Sequence, residues 1–474
     1  MNIQRNLKFF LPLALVPMTG CPAPTARVAE FSANGKRVCV VDETGDARCW
    51  GHNQSAQLGV NGSASTIGCN LNQPLHNLLS DVALAGAPTL VSIANAPEAT
   101  CALTDEGTVR CWGSNERGTN GHPGSGLIGD QPGETLLYGD VDLNTTASVI
   151  QLEASKGATV NGKGFMCVLL DDGEVKCWGQ NHEGTLGLGD THNRGDDPGE
   201  MASLPAVDLG NTAEVVEIAL GGAHACALFA DGQAKCWGRN QHGQLGLGHD
   251  TRIGDQPGEM GDALPYILTD PTVGGTPSFD TLALGRYHSC GLSDGQVYCW
   301  GANHDGQLGL ATDVVDPDDY DDIGDEHHEL STLQPVDAGG EVTDIFAAGN
   351  VTCAIVLGKA KCWGENINGV LGQGQPSGTL DAYGDDLGES VSSLPFIPLT
   401  AGDGPDAPGV ISFVVDDLSV SGASICAKSS TDELQCWGRS SNCQPGIETP
   451  YPGDMGDAPG EIESLTAIPF DIES

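Results

Sequence analysis

The chain is short of positive charge. Of its 474 residues only 20 are Lys or Arg, against 64 Asp or Glu, giving a formal net charge of −44. A surface that neutralises phosphates needs those missing cations, so nucleic acid is excluded as a partner, as is direct adhesion to an anionic membrane. The acid excess favours solubility and attracts cations. Aromatic residues are also few, at 5%. With 67 glycines and 39% apolar residues, that scarcity suits a turn-rich all-β chain rather than a disordered one. Long apolar runs are absent apart from residues 9–18, which are too short to span a bilayer as a helix. There is no Walker or dinucleotide motif and no His-x-x-x-His pair, and the one Gly-x-Ser-x-Gly-like elbow, Gly422-Ala-Ser-Ile-Cys426, is damaged. Nucleotide and nucleophilic chemistry therefore find no support.

The apolar run has targeting features. Arg5 and Lys8 precede it, and it ends in Met18-Thr19-Gly20-Cys21. This order resembles the bacterial lipobox, with Met at the usual Leu position, and implies lipidation of Cys21. Residues 1–20 then read as a lipoprotein signal peptide and 21–26 as a tether. An ordinary secretory signal is the alternative. The lipoprotein reading places the protein in the bacterial cell envelope, periplasmic or surface-exposed, touching membrane only through its anchor.

What the chain does have is repetition. Cys-Trp-Gly occurs seven times, and its Trp residues (Trp50, Trp112, Trp178, Trp237, Trp300, Trp363 and Trp437) are the only ones in the chain. Successive copies lie 59 to 74 residues apart, a period suited to a four-stranded propeller unit. A second Cys precedes each motif, giving Cys39/Cys49, Cys101/Cys111, Cys167/Cys177, Cys226/Cys236, Cys290/Cys299, Cys353/Cys362 and Cys426/Cys436. A two-residue turn in the fifth and sixth copies, and a three-residue turn with a left-handed third residue elsewhere, both set the two cysteines opposite one another. At a non-hydrogen-bonded site of an antiparallel hairpin, such a pair is close enough to join. Seven hairpin disulfides are expected, in an oxidising compartment.

Seventeen cysteines, less Cys21 and the fourteen in hairpins, leave Cys69 and Cys443. One lies in the first unit and the other in the last, which a closed ring makes neighbours. The expectation is a Cys69–Cys443 disulfide that latches the ring; two unpaired thiols are the competing reading.

Each unit repeats one order of signals: an apolar strand, the cysteine hairpin, a Gly-rich turn, an acidic loop and a short strand such as residues 204–209 or 264–268. Four strands per unit make a propeller blade. The expected fold is all-β, a seven-bladed β-propeller of four-stranded blades. It occupies residues 27–474 as one domain, with units at roughly 27–84, 85–146, 147–210, 211–270, 271–338, 339–401 and 402–474.

His224-Ala-Cys, Asp231-Gly-Gln, Cys236-Trp-Gly-Arg-Asn and Gly243-Gln-Leu-Gly-Leu-Gly resemble the repeat of the regulator of chromosome condensation (RCC1) family. The likeness extends over nearly everything after residue 26. The cysteine pairs and lipobox resemble an exported bacterial branch rather than the nuclear members. The family implies a seven-bladed propeller. Its members range from nuclear guanine-nucleotide exchange factors to secreted bacterial proteins that bind and inhibit β-lactamases, so the fold leaves function open.

Four units carry Gly-Asp-x-Pro-Gly-Glu, with acidic pairs Asp130/Glu134, Asp196/Glu200, Asp255/Glu259 and Asp457/Glu461; looser copies begin at Gly324 and Gly384. These carboxylates could offer oxygen ligands to Ca2+; the plainer reading is a structural turn. His224 and His288 read as hydrogen-bonded blade residues, whereas His52, His182 and His304 stand where they could line one face. The function expected is a protein-binding or scaffold module, monomeric and without an obligatory cofactor. A hydrolase or lyase with a carboxylate- and His-lined funnel is the alternative, and guanine-nucleotide exchange rests on fold analogy alone.

Overall fold

Each cysteine hairpin forms the second and third strands of its own antiparallel sheet, and seven such sheets follow one another along the chain. The computed structural model describes residues 27–34, 36–60, 64–68, 82, 89–124, 126–131, 133–156, 164–210, 213–267, 278–310, 322–326, 329–330, 333–374, 382–385, 388–400, 413–441, 445, 454–465 and 467–468. Cys21, Cys69 and Cys443, and the sequence readings that rest on them, lie outside these residues.

Unit four shows the construction. The inner strand Val215–Leu220 pairs with the middle strand His224–Phe229, which pairs with the third strand Ala234–Gly238. Cys226 faces Cys236 at a Cα separation of 4.1 Å and is bonded to it. The other six hairpins are built alike. Cys39 is bonded to Cys49, Cys101 to Cys111 and Cys167 to Cys177. Cys290 is bonded to Cys299, Cys353 to Cys362 and Cys426 to Cys436. Cα separations are 4.0 to 4.1 Å throughout, the close approach of a non-hydrogen-bonded pair. The shorter loops of units five and six leave this distance unchanged, because in every hairpin the two cysteines are direct partners in the ladder.

The fourth strand departs from the sequence expectation. Residues 204–209 and 264–267 form no ladder; Val207 N–H donates to Val175 O at 2.8 Å and Ile267 N–H to Ala234 O at 2.9 Å, one bond apiece. Pro205 and Pro265 have no N–H to extend the pairing. The regular outer pairing lies earlier. The Gly of each Cys-Trp-Gly pairs with Ile67, Ile128, Arg194, Ile253, Ile323, Tyr383 or Met455 in turn. The outermost strand of every blade is thus split into two short pieces that hold opposite ends of the third strand.

Blades lock to one another through the repeat residues. All seven indoles are fully buried. Six donate Nε1–H to a backbone carbonyl of the preceding unit, at 2.9 to 3.1 Å: Trp112 to Gln57, Trp178 to Thr119, Trp237 to Thr185, Trp300 to Gln244, Trp363 to Gln307 and Trp437 to Val370. The second Gly of Gly-Gln-Leu-Gly lies against that indole. At Gly246, with φ of 66°, a Cβ would come within 2.8 Å of Trp300 Nε1. Gly246→Ala meets both a left-handed backbone and this contact. It is expected to cost about 2 kcal/mol or more, read as a lower denaturation midpoint with altered Trp fluorescence.

The scarce cations are used inside. Lys176 Nζ donates to Leu143 O, Asn144 O and Leu204 O, and Lys361 to Ala338 O, Val391 O and Ser392 O. Fully buried Arg37 donates to the carbonyls of Ala96, Pro97 and Ala99 and to the side chains of Asn95 and Thr100. These groups tie loops of one or two units to a blade core.

The inner strands contact one another in sequence, and the last, Val415–Val420, meets the first, Val28–Asn34. At this seam Ala33 N–H donates to Ser419 Oγ at 2.8 Å, and Arg27 lies 3.7 Å from Asp432. Phe31, Val38 and Trp50 pack there against Leu434 and Ile468. Among the described residues each sheet keeps strands of its own unit, and no strand is exchanged across the seam.

Candidate functional site

Two regions gather polar side chains: the axis of the ring, and the face that carries the loops after Cys-Trp-Gly. Along the axis, a one-residue register slip in six units brings Glu30, Ser92, Gln151, Glu217, Asp344 and Asp417 to one level, with Thr281 matching them in unit five. All seven are half-buried. Glu153 lies two residues beyond Gln151 on the same strand. Glu217 Oε1 accepts Leu282 N–H and Thr281 Oγ–H, each at 3.0 Å. Burial, with Glu153 and Asp344 nearby, pushes the Glu217 carboxyl up to about 7, against those two hydrogen bonds. Burial likewise pushes Asp417 up to about 6, aided by Asp344 and Asp416 and opposed by Lys428. Glu153, Glu217 and Asp417 are thus axial carboxyl groups that hold protons more tightly than ordinary ones.

The hairpin cysteines belong to neither region. Cys39, Cys101, Cys167, Cys226, Cys290, Cys353 and Cys426 on the middle strands are fully buried. Their partners on the third strands, Cys49, Cys111, Cys177, Cys236, Cys299, Cys362 and Cys436, are at most 4% exposed. Each stands beside the blade's buried Trp in sequence and is already bonded. None therefore offers a thiolate as nucleophile or metal ligand; as site residues they are structural staples only.

The loop face is richest at units four and five. Asn240 Oδ1 accepts Leu245 N–H at 2.8 Å and Asn303 Oδ1 accepts Leu308 N–H at 3.0 Å, closing the two loops that carry His242 and His304. The turn between inner and middle strands of unit five carries Arg286 and Tyr287. Successive turns of this kind are joined around the axis: Lys156 N–H to Gly221 O, Gly222 N–H to Gly285 O and Arg286 N–H to Gly349 O. Two guanidinium groups pack against the Tyr287 ring, Arg239 at 4.5 Å and Arg286 at 4.8 Å from its centroid. Neither Arg239 Nε nor Arg286 Nε has an acceptor among the described residues. His242 stands 5.2 Å from the Tyr287 ring, and His304 lies edge-on to His242 at 5.2 Å. Asp322 Oδ2 is 2.8 Å from His242 Nδ1, and its Oδ1 is 3.9 Å from His304 Nδ1. Burial lowers the His304 pKa, against the nearby carboxylates of Asp322 and Asp305. Asn350 Nδ2–H donates to Asp305 Oδ2 at 2.8 Å, extending the network into unit six.

The other histidines divide as follows. His224 and His288 are fully buried, with Nε2 2.9 Å from Ser289 Oγ and 2.8 Å from Thr352 Oγ1. Burial brings both down to about 3, so they are neutral framework groups. His52 Nδ1 meets Gln57 Nε2 at 2.8 Å and His182 Nδ1 meets Gln180 Nε2 at 2.6 Å; each makes its bond within its own unit. His242 and Asp322 were not singled out in the sequence, being 80 residues apart in different units.

The acidic turns prove to be joints between blades. In each motif the Glu Oε2 accepts the Gly N–H, at 2.8 to 3.1 Å: Glu134 from Gly129, Glu200 from Gly195, Glu259 from Gly254, Glu329 from Gly324, Glu389 from Gly384 and Glu461 from Gly456. Five of them also accept the N–H two residues further on. The start of the turn lies against the glycine loop of the preceding blade; a Cβ on Gly184 would be 2.6 Å from Asp255 N. Thus one oxygen of each Glu134, Glu200, Glu259 and Glu461 carboxylate serves the turn itself. Asp255 also pairs with Arg252 at 2.9 Å. Asp130, Asp196 and Asp457 sit one per blade around the ring, and among the described residues no three acidic-turn carboxylates converge.

Seven disulfide-stapled blades joined in this way define a repeat propeller with an adaptable loop face. The regulator of chromosome condensation (RCC1) repeat matches residues 98–119, 172–228, 215–244, 279–307 and 294–355, so the chain carries repeats of this kind. It is similar to the Ultraviolet-B receptor UVR8 of Arabidopsis thaliana, at 28% identity over 361 residues, covering 74% of this chain and 68% of the receptor. It is also similar to the human E3 ubiquitin-protein ligase HERC2, at 28% identity over 375 residues, which are 69% of this chain and 7% of the ligase. The chain thus spans a small fraction of that relative's length. The structure of Prp20p from Saccharomyces cerevisiae superimposes with a TM-score of 0.55 at 20% identity, covering 75% of each chain, a likeness of fold.

Proposed function

We propose that this chain is an exported, lipid-anchored propeller that binds a protein partner through the loop face of units four to six. The observation that carries the reading is the Arg239–Tyr287–Arg286 stack. On a chain of net charge −44, it gathers two guanidinium groups around an aromatic ring, and neither Nε has an acceptor among the described residues. Tyr and Arg are the residue types that dominate binding hot spots, and guanidinium groups recognise the carboxylates of a partner by charge-assisted hydrogen bonds. Seven disulfides fit an oxidising compartment. Attachment through Cys21 at the bacterial envelope belongs to the same proposal. Among relatives of this fold, Prp20p has been described with binding properties to Gsp1p and histones, so its propeller too meets proteins.

The experiment is capture from envelope extract with the full chain, alongside Arg239→Glu and Arg286→Glu. A specific partner should be retained by the parent chain and lost by both variants while their melting curves stay unchanged. Equal capture by all three would place the binding surface elsewhere.

A further inference from the structure

We propose that His242, His304 and Asp322 form a site for a divalent transition-metal ion of the zinc type, bridging blades four and five. The two imidazoles and the carboxylate bring their ligand atoms within 4.8 Å of one another. Tetrahedral zinc with nitrogen and oxygen ligands at about 2.0–2.2 Å sets neighbouring ligand atoms roughly 3.3 Å apart. Asp322 Oδ2 lies 2.8 Å from His242 Nδ1 and its Oδ1 3.9 Å from His304 Nδ1, and all three ligand atoms are within 4.8 Å of one another, so side-chain rotations would close the set on one ion. The donor set selects the metal. Two imidazoles with one carboxylate suit zinc or its neighbours, whereas calcium and magnesium require oxygen ligands.

The surroundings are those of a built site. Asp322 Oδ1 accepts Asn303 N–H at 3.3 Å, which orients the carboxylate from behind. His242 is braced by the Tyr287 ring. The ligand side chains are 21%, 28% and 10% exposed, for His242, His304 and Asp322, leaving one side open to solvent and to a fourth ligand. The three residues belong to neighbouring blades, so a bound ion would cross-link them. The other histidines in matching loops, His52 and His182, are bonded within their own units.

The test uses the full-length protein, stripped with chelator and then titrated with Co(II) as a spectroscopic substitute. One equivalent should give visible d–d absorption, which Zn(II) abolishes by displacement. His242→Ala and His304→Ala should each weaken binding at least tenfold. Because an acidic surface also takes up cations loosely, a second readout follows the imidazole nitrogens of the parent protein by NMR. Of its 12 histidines, Zn(II) should shift His242 and His304 at stoichiometric concentration, and Ca(II) should leave them unmoved. An unchanged Co(II) spectrum in the His242→Ala/His304→Ala double variant would overturn the proposal. Equally, unmoved His242 and His304 resonances would reduce the cluster to an ion pair beside two stacked rings.

Discussion

A non-reducing digest of the intact protein should yield one linked peptide containing both Cys69 and Cys443. The two positions lie outside the described residues, but the equivalent contact is repeated at five other junctions. Cys443 stands seven residues after Cys436, where unit four has Gly243; Cys69 follows Gly68, as Asp325 follows Gly324. At those junctions Gly118, Gly184, Gly243, Gly306 and Gly369 lie so close to Asp196, Asp255, Asp325, Asp385 and Asp457 that a Cβ would run into the Asp backbone nitrogen. Ala56, at the matching position of unit one with φ of 57°, shows that the site accepts a side chain. By sequence register, the corresponding pair between the last and first units would be Cys443 and Cys69. A disulfide there closes a loop of most of the chain, worth roughly 5–6 kcal/mol in the chain-entropy model. Cys69→Ser and Cys443→Ser should each lower the denaturation midpoint by far more than a surface substitution, and the double variant should cost no more than either single. Separately alkylated Cys69 and Cys443 in the digest would show two free thiols instead.

The second large effect concerns the axis. The Glu217 carboxyl is held at about 7, above its ordinary value of 4.5, so the folded chain binds this proton more tightly than the unfolded chain. By linkage, its contribution favours folding fully below pH 4.5 and is lost as pH rises through 7. Glu217→Gln keeps an oxygen for Leu282 N–H and Thr281 Oγ–H but removes the charge. The variant should therefore gain up to about 3 kcal/mol at pH 8, and the gain should vanish by pH 4.5. His224 and His288 oppose this trend, since their depressed pKa values lower stability as pH falls below 6.5. The comparison must be made between variant and parent at each pH. A difference that stays constant from pH 4.5 to 8 would mean that Glu217 is an ordinary solvated carboxylate.

Much of this fold is written locally. Cys226, Gly232, Cys236 and Trp237 lie within twelve consecutive positions, so spacing alone reveals the hairpin and its staple. The split outer strand was hidden because residues 204–209 and 264–267 alternate like strands, while prolines and a single hydrogen bond keep them from pairing as one. The acidic turn reads in sequence as a structural turn with a cation loop as the lesser reading, because spacing alone cannot show that its Glu accepts the turn's own N–H groups. Glu217 was visible only as one acid in an apolar strand; its perturbation comes first from burial in the folded ring, with Glu153 and Asp344 of other blades adding to it. The same holds for His242, which becomes a candidate ligand only when Asp322, from the next unit, folds against it.

The buried cations bear on the medium in which the protein thrives. Arg37, Lys176, Lys235, Lys361 and Lys428, five of the twenty basic residues, are inside. The exterior is left more anionic than the net charge suggests, and its carboxylates repel one another along every blade edge. Counter-ions relieve that repulsion because salt shortens its reach to roughly 10 Å at 0.1 M and 3 Å at 1 M, while lysines and arginines bonded to interior carbonyls are little affected. Dilute buffer is then the stressful environment for this ring, and brine the comfortable one.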